Sequence, residues 1–98
     1  MTGPKESGEP VESGLALIDY PSQFPLKVFG EDSEELETIV LELVRARCPQ
    51  AEHIDVRRRR SKGGKYLALT LTFTVYSQKQ LEEIYQDLYD CEQVVMSL

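Results

Sequence analysis

One histidine, two widely spaced cysteines and a run of four arginines are the residues of this 98-residue chain whose types could do chemistry. His53 is the sole histidine and the chain has no asparagine. A nucleophile activated by a base, or a metal held by several imidazoles and thiolates, needs partners that composition does not supply. Cys48 and Cys91 match neither the paired spacing of a zinc site nor a redox C-x-x-C, so both are expected as reduced thiols packed near helix ends. The expectation is a non-enzymatic protein with no cofactor and no metal site.

The basic residues are another matter. Six of the eleven, Arg57, Arg58, Arg59, Arg60, Lys62 and Lys65, fall within nine positions, giving that segment +6 while the rest of the chain carries −12. Such a cluster could hold phosphate, a nucleotide, RNA or an acidic protein. It could equally guard an exposed strand edge against pairing with another chain, a common use of charge in β-proteins. The overall charge of −6 and pI near 4.7 oppose general attraction to nucleic acid or anionic lipid. No apolar run approaches the roughly 20 residues that span a bilayer, and no signal peptide opens the chain, so a cytoplasmic protein is expected.

The elements that must position these residues can be read from periodicity. Residues 1–14 hold three glycines, two prolines, two serines and three glutamates, a composition that does not offset its ordering entropy and is expected to form a disordered tail. Leu15 to Ile18 then forms a short arm, and residues 15–98 form a single domain. Phe24 to Gly30 alternates as a half-buried strand, with Phe24, Leu26 and Val28 on one side and Lys27 and Phe29 on the other. A helix begins at Asp32 or Ser33, with acids along its first turns. It carries Leu36, Ile39, Val40, Leu43 and Val44 at helical spacing and stops at Cys48-Pro49.

His53 to Arg60 reads as a second strand, and the Gly63-Gly64 pair allows a reversal. The third strand, ending at Tyr76, is apolar at Leu67, Leu69, Leu71, Phe73 and Val75. On its other side it is polar but uncharged, as befits a central strand. Ser77 with Gln80 has the form of a capping box before a helix bearing Leu81, Ile84, Tyr85 and Leu88. Val94, Met96 and Leu98 are expected to face inward from a fourth strand.

The order βαββαβ with right-handed crossovers predicts an α+β, ferredoxin-like sandwich. Its four-stranded antiparallel sheet has the order 4-1-3-2 and carries both helices on one face. The second strand then lies at an edge. The uncovered face presents Lys27, Phe29, Arg57, Arg59, Tyr66, Ala68, Thr70, Thr72, Thr74, Val95 and Ser97. Alternation puts Arg58 and Arg60 on the helix side or its rim.

Several local patterns now carry a likeness. Phe24, Lys27, Val28 and Gly30 follow an F-x-x-K-V-x-G strand, and Ser61-Lys62-Gly63 followed by Tyr66 is similar to an S-K-G-x-Y hairpin. Gln80, Glu82, Ile84, Tyr85, Asp87 and Leu88, with Val94, Met96 and Leu98, continue the pattern. Over roughly residues 15–98 the chain resembles the YbeD-like family of small, mostly uncharacterised bacterial proteins. The resemblance implies the same fold and an architecture like that of ACT-type regulatory domains, which bind small effectors at domain interfaces. The chain departs from the family pattern in an extra residue before Tyr66, in its four arginines and in a longer N-terminal segment. The acylphosphatase chemistry hosted by this fold requires an asparagine, which is absent from this composition.

The expected function is therefore that of an interaction or regulatory module. It would bind a protein partner, a second copy of itself or a small effector through the open face or the second-strand edge. The candidate surface is Lys27, Phe29, Arg57, Arg59, Lys62, Lys65, Tyr66, Thr70 and Thr72. The alternative is RNA or another polyanion on the hairpin Arg57–Lys65, whose lysine, glycine and tyrosine pattern has a distant likeness to the third strand of RNA-recognition motifs.

Overall fold

The computed structural model describes residues 18–98. The expected tail over residues 1–14 and the start of the arm lie outside the described residues. Within them the chain runs β1 (Ser22–Glu31), α1 (Glu34–Arg47), β2 (Asp55–Arg60), β3 (Tyr66–Val75), α2 (Gln78–Tyr89) and β4 (Val94–Ser97). The sheet order β2-β3-β1-β4 and its antiparallel pairings are those expected from the sequence.

Both helices begin on a serine. The hydroxyl of Ser33 accepts from the Leu36 amide at 3.2 Å, and that of Ser77 accepts from the Gln80 amide at 3.1 Å. Each bond satisfies an amide that the first helical turn leaves without an intrahelical acceptor. Asp32, the alternative cap of α1, instead accepts from Arg60 at 2.7 Å. The second cap also differs from a reciprocal box: Gln80 Oε1 accepts from the amide of Tyr76, one residue before the cap, at 2.9 Å.

The core lies between one sheet face and the helices. Leu26 and Val28 of β1 and Leu67, Leu69, Leu71, Phe73 and Val75 of β3 meet Leu36, Val40 and Val44 of α1 and Leu81, Ile84 and Leu88 of α2, all buried. Ile39 and Leu43, at the margins of the α1 stripe, are half-buried. Phe24 meets Tyr85 edge-on, with ring centroids 6.4 Å apart. Tyr89, one turn beyond Tyr85 on α2, is exposed. A two-pronged Arg47–Asp87 contact, at 2.6 and 3.0 Å, joins the end of α1 to α2. The hydrogen bonds from Arg47 hold the Asp87 carboxyl below its ordinary pKa.

One expectation about β4 is overturned. The β1–β4 ladder pairs Val28 with Ser97 and Phe29 with Met96 but Gly30 with Val94, so the register slips by one residue between Phe29 and Gly30. Lys27 and Leu98 exchange backbone hydrogen bonds at 3.1 and 2.8 Å. Paired residues share a face, so Met96 and Leu98 lie on the open face beside Phe29 and Lys27, while Ser97 turns to the helix side with Val28. Val95 is the extra residue of the bulge. The inward placement of Met96 and Leu98, and the open-face placement of Ser97, are thus reversed.

The bulge sits where Gly30 is crowded. A methyl group on Gly30 would collide with the Gln93 carbonyl oxygen and stand 2.9 Å from a Leu36 methyl. Space, not an unusual backbone angle, makes glycine necessary at this position.

Candidate interaction surface

Cross-strand register lays out the open face in rows. One row runs Arg59, Ala68, Phe29, Met96; the next runs Arg57, Thr70, Lys27, Leu98; a third holds Asp55, Thr72 and Pro25. Of the sequence candidates, the structure gathers Lys27, Phe29, Arg57, Arg59 and Thr70 in two adjacent rows. Thr72 belongs to the third, Tyr66 stands at the far end opposite Glu31, and Lys62 and Lys65 occupy the turn beyond it.

Met96 and Leu98 are the additions that sequence reasoning missed, being 50% and 59% exposed. With Phe29 and Ala68 they make an apolar area flanked by Lys27, Arg57 and Arg59. The signal that could have found them is Gly30, a glycine inside an alternating strand, which marks a bulge or close backbone approach.

The four arginines divide by alternation. On the helix side, Arg58 holds Glu37 of α1 through two bonds of 2.5 and 2.8 Å, and Arg60 holds Asp32. The hydrogen bonds from Arg58 keep the Glu37 carboxyl below its ordinary pKa. These two arginines tie the edge strand to α1. On the open side, Arg57 is 82% exposed and, among the described residues, has only a 3.5 Å contact with Asp55 on its own strand. Arg59, Lys27, Lys62 and Lys65 have no ion-pair partner among the described residues.

The Gly63 and Gly64 backbones, with φ of 91° and 70°, turn the chain between β2 and β3, and nothing lies within 4 Å of a side chain built on either. Their left-handed geometry is one that glycine adopts at little cost. The two lysines of the turn, Lys62 and Lys65, are exposed.

At the other end of the face, Gln23, Gln50, His53, Asp55, Thr72 and Thr74 line a polar groove of about 370 Å³. His53 thus shares the groove with two carboxylates, Glu52 and Asp55, and several neutral polar groups, and no cluster of three or more histidine, cysteine or acidic residues forms a metal cage among the described residues. Cys48 is buried, its thiol directed at the Thr74 carbonyl and Gln80 Oε1, and burial pushes its pKa up; Cys91 is partly exposed, and both thiols are free. No described helix is long and apolar enough to cross a membrane.

Comparison with known proteins agrees with this architecture. Residues 16–98 match the family described as "Protein of unknown function (DUF493)". The chain belongs to this family. A UPF0250 protein of Chromobacterium violaceum is 43% identical over 82 residues, covering 84% of this chain and 92% of the relative. A UPF0250 protein of Nitrosomonas europaea is 36% identical over 83 residues, covering 85% and 95%. The resemblance carried by the strand, hairpin and C-terminal patterns is thereby borne out. The solution structure of protein HP0495 from H. pylori superposes with a TM-score of 0.70 at 21% identity, covering 83% of this chain and 85% of that one, which establishes the shared fold.

Proposed function

We propose that this member of the family is a non-enzymatic interaction module, regulatory in the manner of ACT-like domains, that receives a protein partner on its open sheet face and β2 edge. The observation that carries the reading is the bulge-driven gathering of Phe29, Met96 and Leu98 beside Lys27, Arg57 and Arg59. Apolar groups in the middle of a patch with charge at its rim are what a protein partner can desolvate and pair. A small effector is served instead by the polar groove around His53 and Thr72, and its binding raises the melting temperature.

The test of the protein reading is affinity purification from native cells with the wild type and Met96→Arg, followed by sedimentation of the recovered species. Wild type recovers a stoichiometric partner or a second copy, and Met96→Arg, an exposed site, loses it while melting normally. Equal recovery by both proteins refutes the assignment of the face.

A polyanion reading has the lysines of the turn in its favour. Against it, Glu31 stands opposite Tyr66 and puts a carboxylate beside the candidate stacking residue, where it repels a polyanion. RNA binding at this hairpin requires an affinity that falls steeply with salt and is lost in Arg57→Glu/Arg59→Glu.

A further inference from the structure

We infer that the β2 edge accepts an extended, antiparallel protein segment in which acidic residues alternate with neutral ones, the acids meeting Arg57 and Arg59. The inference rests on the interaction reading above and names the chemistry of the partner.

The edge is suited to strand addition. β2 pairs with β3 over six residues without a register shift, and no described element pairs with its outer side. The Ser61 amide donates to the Tyr66 carbonyl at 2.9 Å, which sets the phase of the ladder. Backbone groups alternate in direction, so Asp55, Arg57 and Arg59 point their amides and carbonyls at β3, and Val56, Arg58 and Arg60 point theirs outward. A strand added along that edge bonds to Val56, Arg58 and Arg60. Its residues opposite Arg57 and Arg59 fall at the close, non-hydrogen-bonded positions, with Cα atoms roughly 4.5 Å apart and side chains nearest each other. They lie two residues apart and share the open face with the arginines.

Charge then selects the occupant. Among the described residues Arg59 has no ion-pair partner, and Arg57 has a single long contact from its own strand. Carboxylates at alternate positions of the incoming strand meet both. The residue between them lies on the helix side, opposite Arg58, which Glu37 already satisfies. A carboxylate there competes with Glu37, so a neutral side chain is favoured. Room for it exists in a recess of about 270 Å³ between the edge and α1, lined by Glu37, Thr38, Arg58, Arg60 and Leu67. A second copy of β2 is disfavoured as the occupant, because antiparallel pairing sets arginine against arginine, and directly opposed like charges destabilise a ladder.

The test uses the full chain and two capped ten-residue peptides of identical composition. One alternates glutamate and threonine, and the other has five glutamates followed by five threonines. The alternating peptide binds saturably, perturbs the amide resonances of Val56, Arg58 and Arg60, and binds at least tenfold more tightly than the block isomer. Arg57→Gln/Arg59→Gln weakens it at least tenfold, and methylating the peptide amides that face the edge abolishes binding. Equal affinity for the two isomers overturns the inference, as does affinity unchanged by Arg57→Gln/Arg59→Gln. A ten-nucleotide oligouridylate that displaces the peptide at lower concentration overturns it in favour of a polyanion site, and a wild-type dimer dispersed by the arginine substitutions overturns it in favour of a second copy. Peptide binding that survives while Met96→Arg leaves native partner recovery unchanged upholds the edge inference and refutes only the assignment of the face.

Discussion

Replacing Gly30 with alanine probes the contact that shapes β4 and, through it, the open face. The added methyl meets the Gln93 carbonyl oxygen and two Leu36 methyls, at 2.9 and 3.0 Å. Leu36 is fully buried, so its rotation is resisted by the core around it, and the Gln93 oxygen is backbone. Overpacking of this kind costs roughly 1–3 kcal/mol, and a backbone obstacle places the expected loss near the upper end, about 3 kcal/mol. At roughly 4–8 °C per kcal/mol for a domain of this size, the melting temperature falls by about 12–24 °C. Urea titration measures the change as a lowered midpoint with an unchanged slope.

Gly63→Ala is the control. It has open space but a φ of 91°, so it incurs only the left-handed backbone cost of roughly 1–2 kcal/mol. The Met96 methyl resonance reports whether β4 has shifted, and should move in Gly30→Ala and not in Gly63→Ala. A Gly30→Ala loss below about 0.5 kcal/mol, or one with no response at Met96, refutes the claim that crowding at Gly30 sets the bulge, because overpacking has a larger cost.

Further outcomes follow from the ion pairs, the thiols and the core. Glu37 and Asp87 have folded pKa values below their ordinary 4.5 and 3.8, so the stability they contribute is fully present above those values and lost as pH falls through the folded ones. Glu37→Gln/Asp87→Asn should flatten the acid side of a urea-midpoint profile; an unchanged profile removes these pairs from the account. A thiol reagent should modify Cys91 promptly and Cys48 only as the domain opens, and simultaneous modification of both in the folded protein contradicts the burial of Cys48. Phe73→Ala, at a fully buried position, should cost about 3–5 kcal/mol in urea melts, and a loss under 1 kcal/mol would mean that the core packs elsewhere.

Much of this molecule is legible in one dimension because its signals are local. The uninterrupted alternation of Leu67 to Val75, the serines before each helix and the glycine pair of the turn each act within a few residues of themselves. They determine the elements, their order and the division of Arg57 and Arg59 from Arg58 and Arg60. What the arginines touch was not legible. Arg58 meets Glu37 and Arg60 meets Asp32 across 21 and 28 residues, and many acids of α1 were equally available by composition.

The face of β4 was decided by tertiary structure alone. Val94, Met96 and Leu98 alternate as if inward, but a strand's faces depend on its register with a partner, and one slipped residue exchanges them. That slip belongs to the meeting of Gly30 with Gln93 and Leu36, which no stretch of β4 encodes. The sequence by itself determines a two-layer domain with a basic edge; the bulge turns two of its last three side chains, Met96 and Leu98, from expected core into the exposed apolar part of the interaction surface.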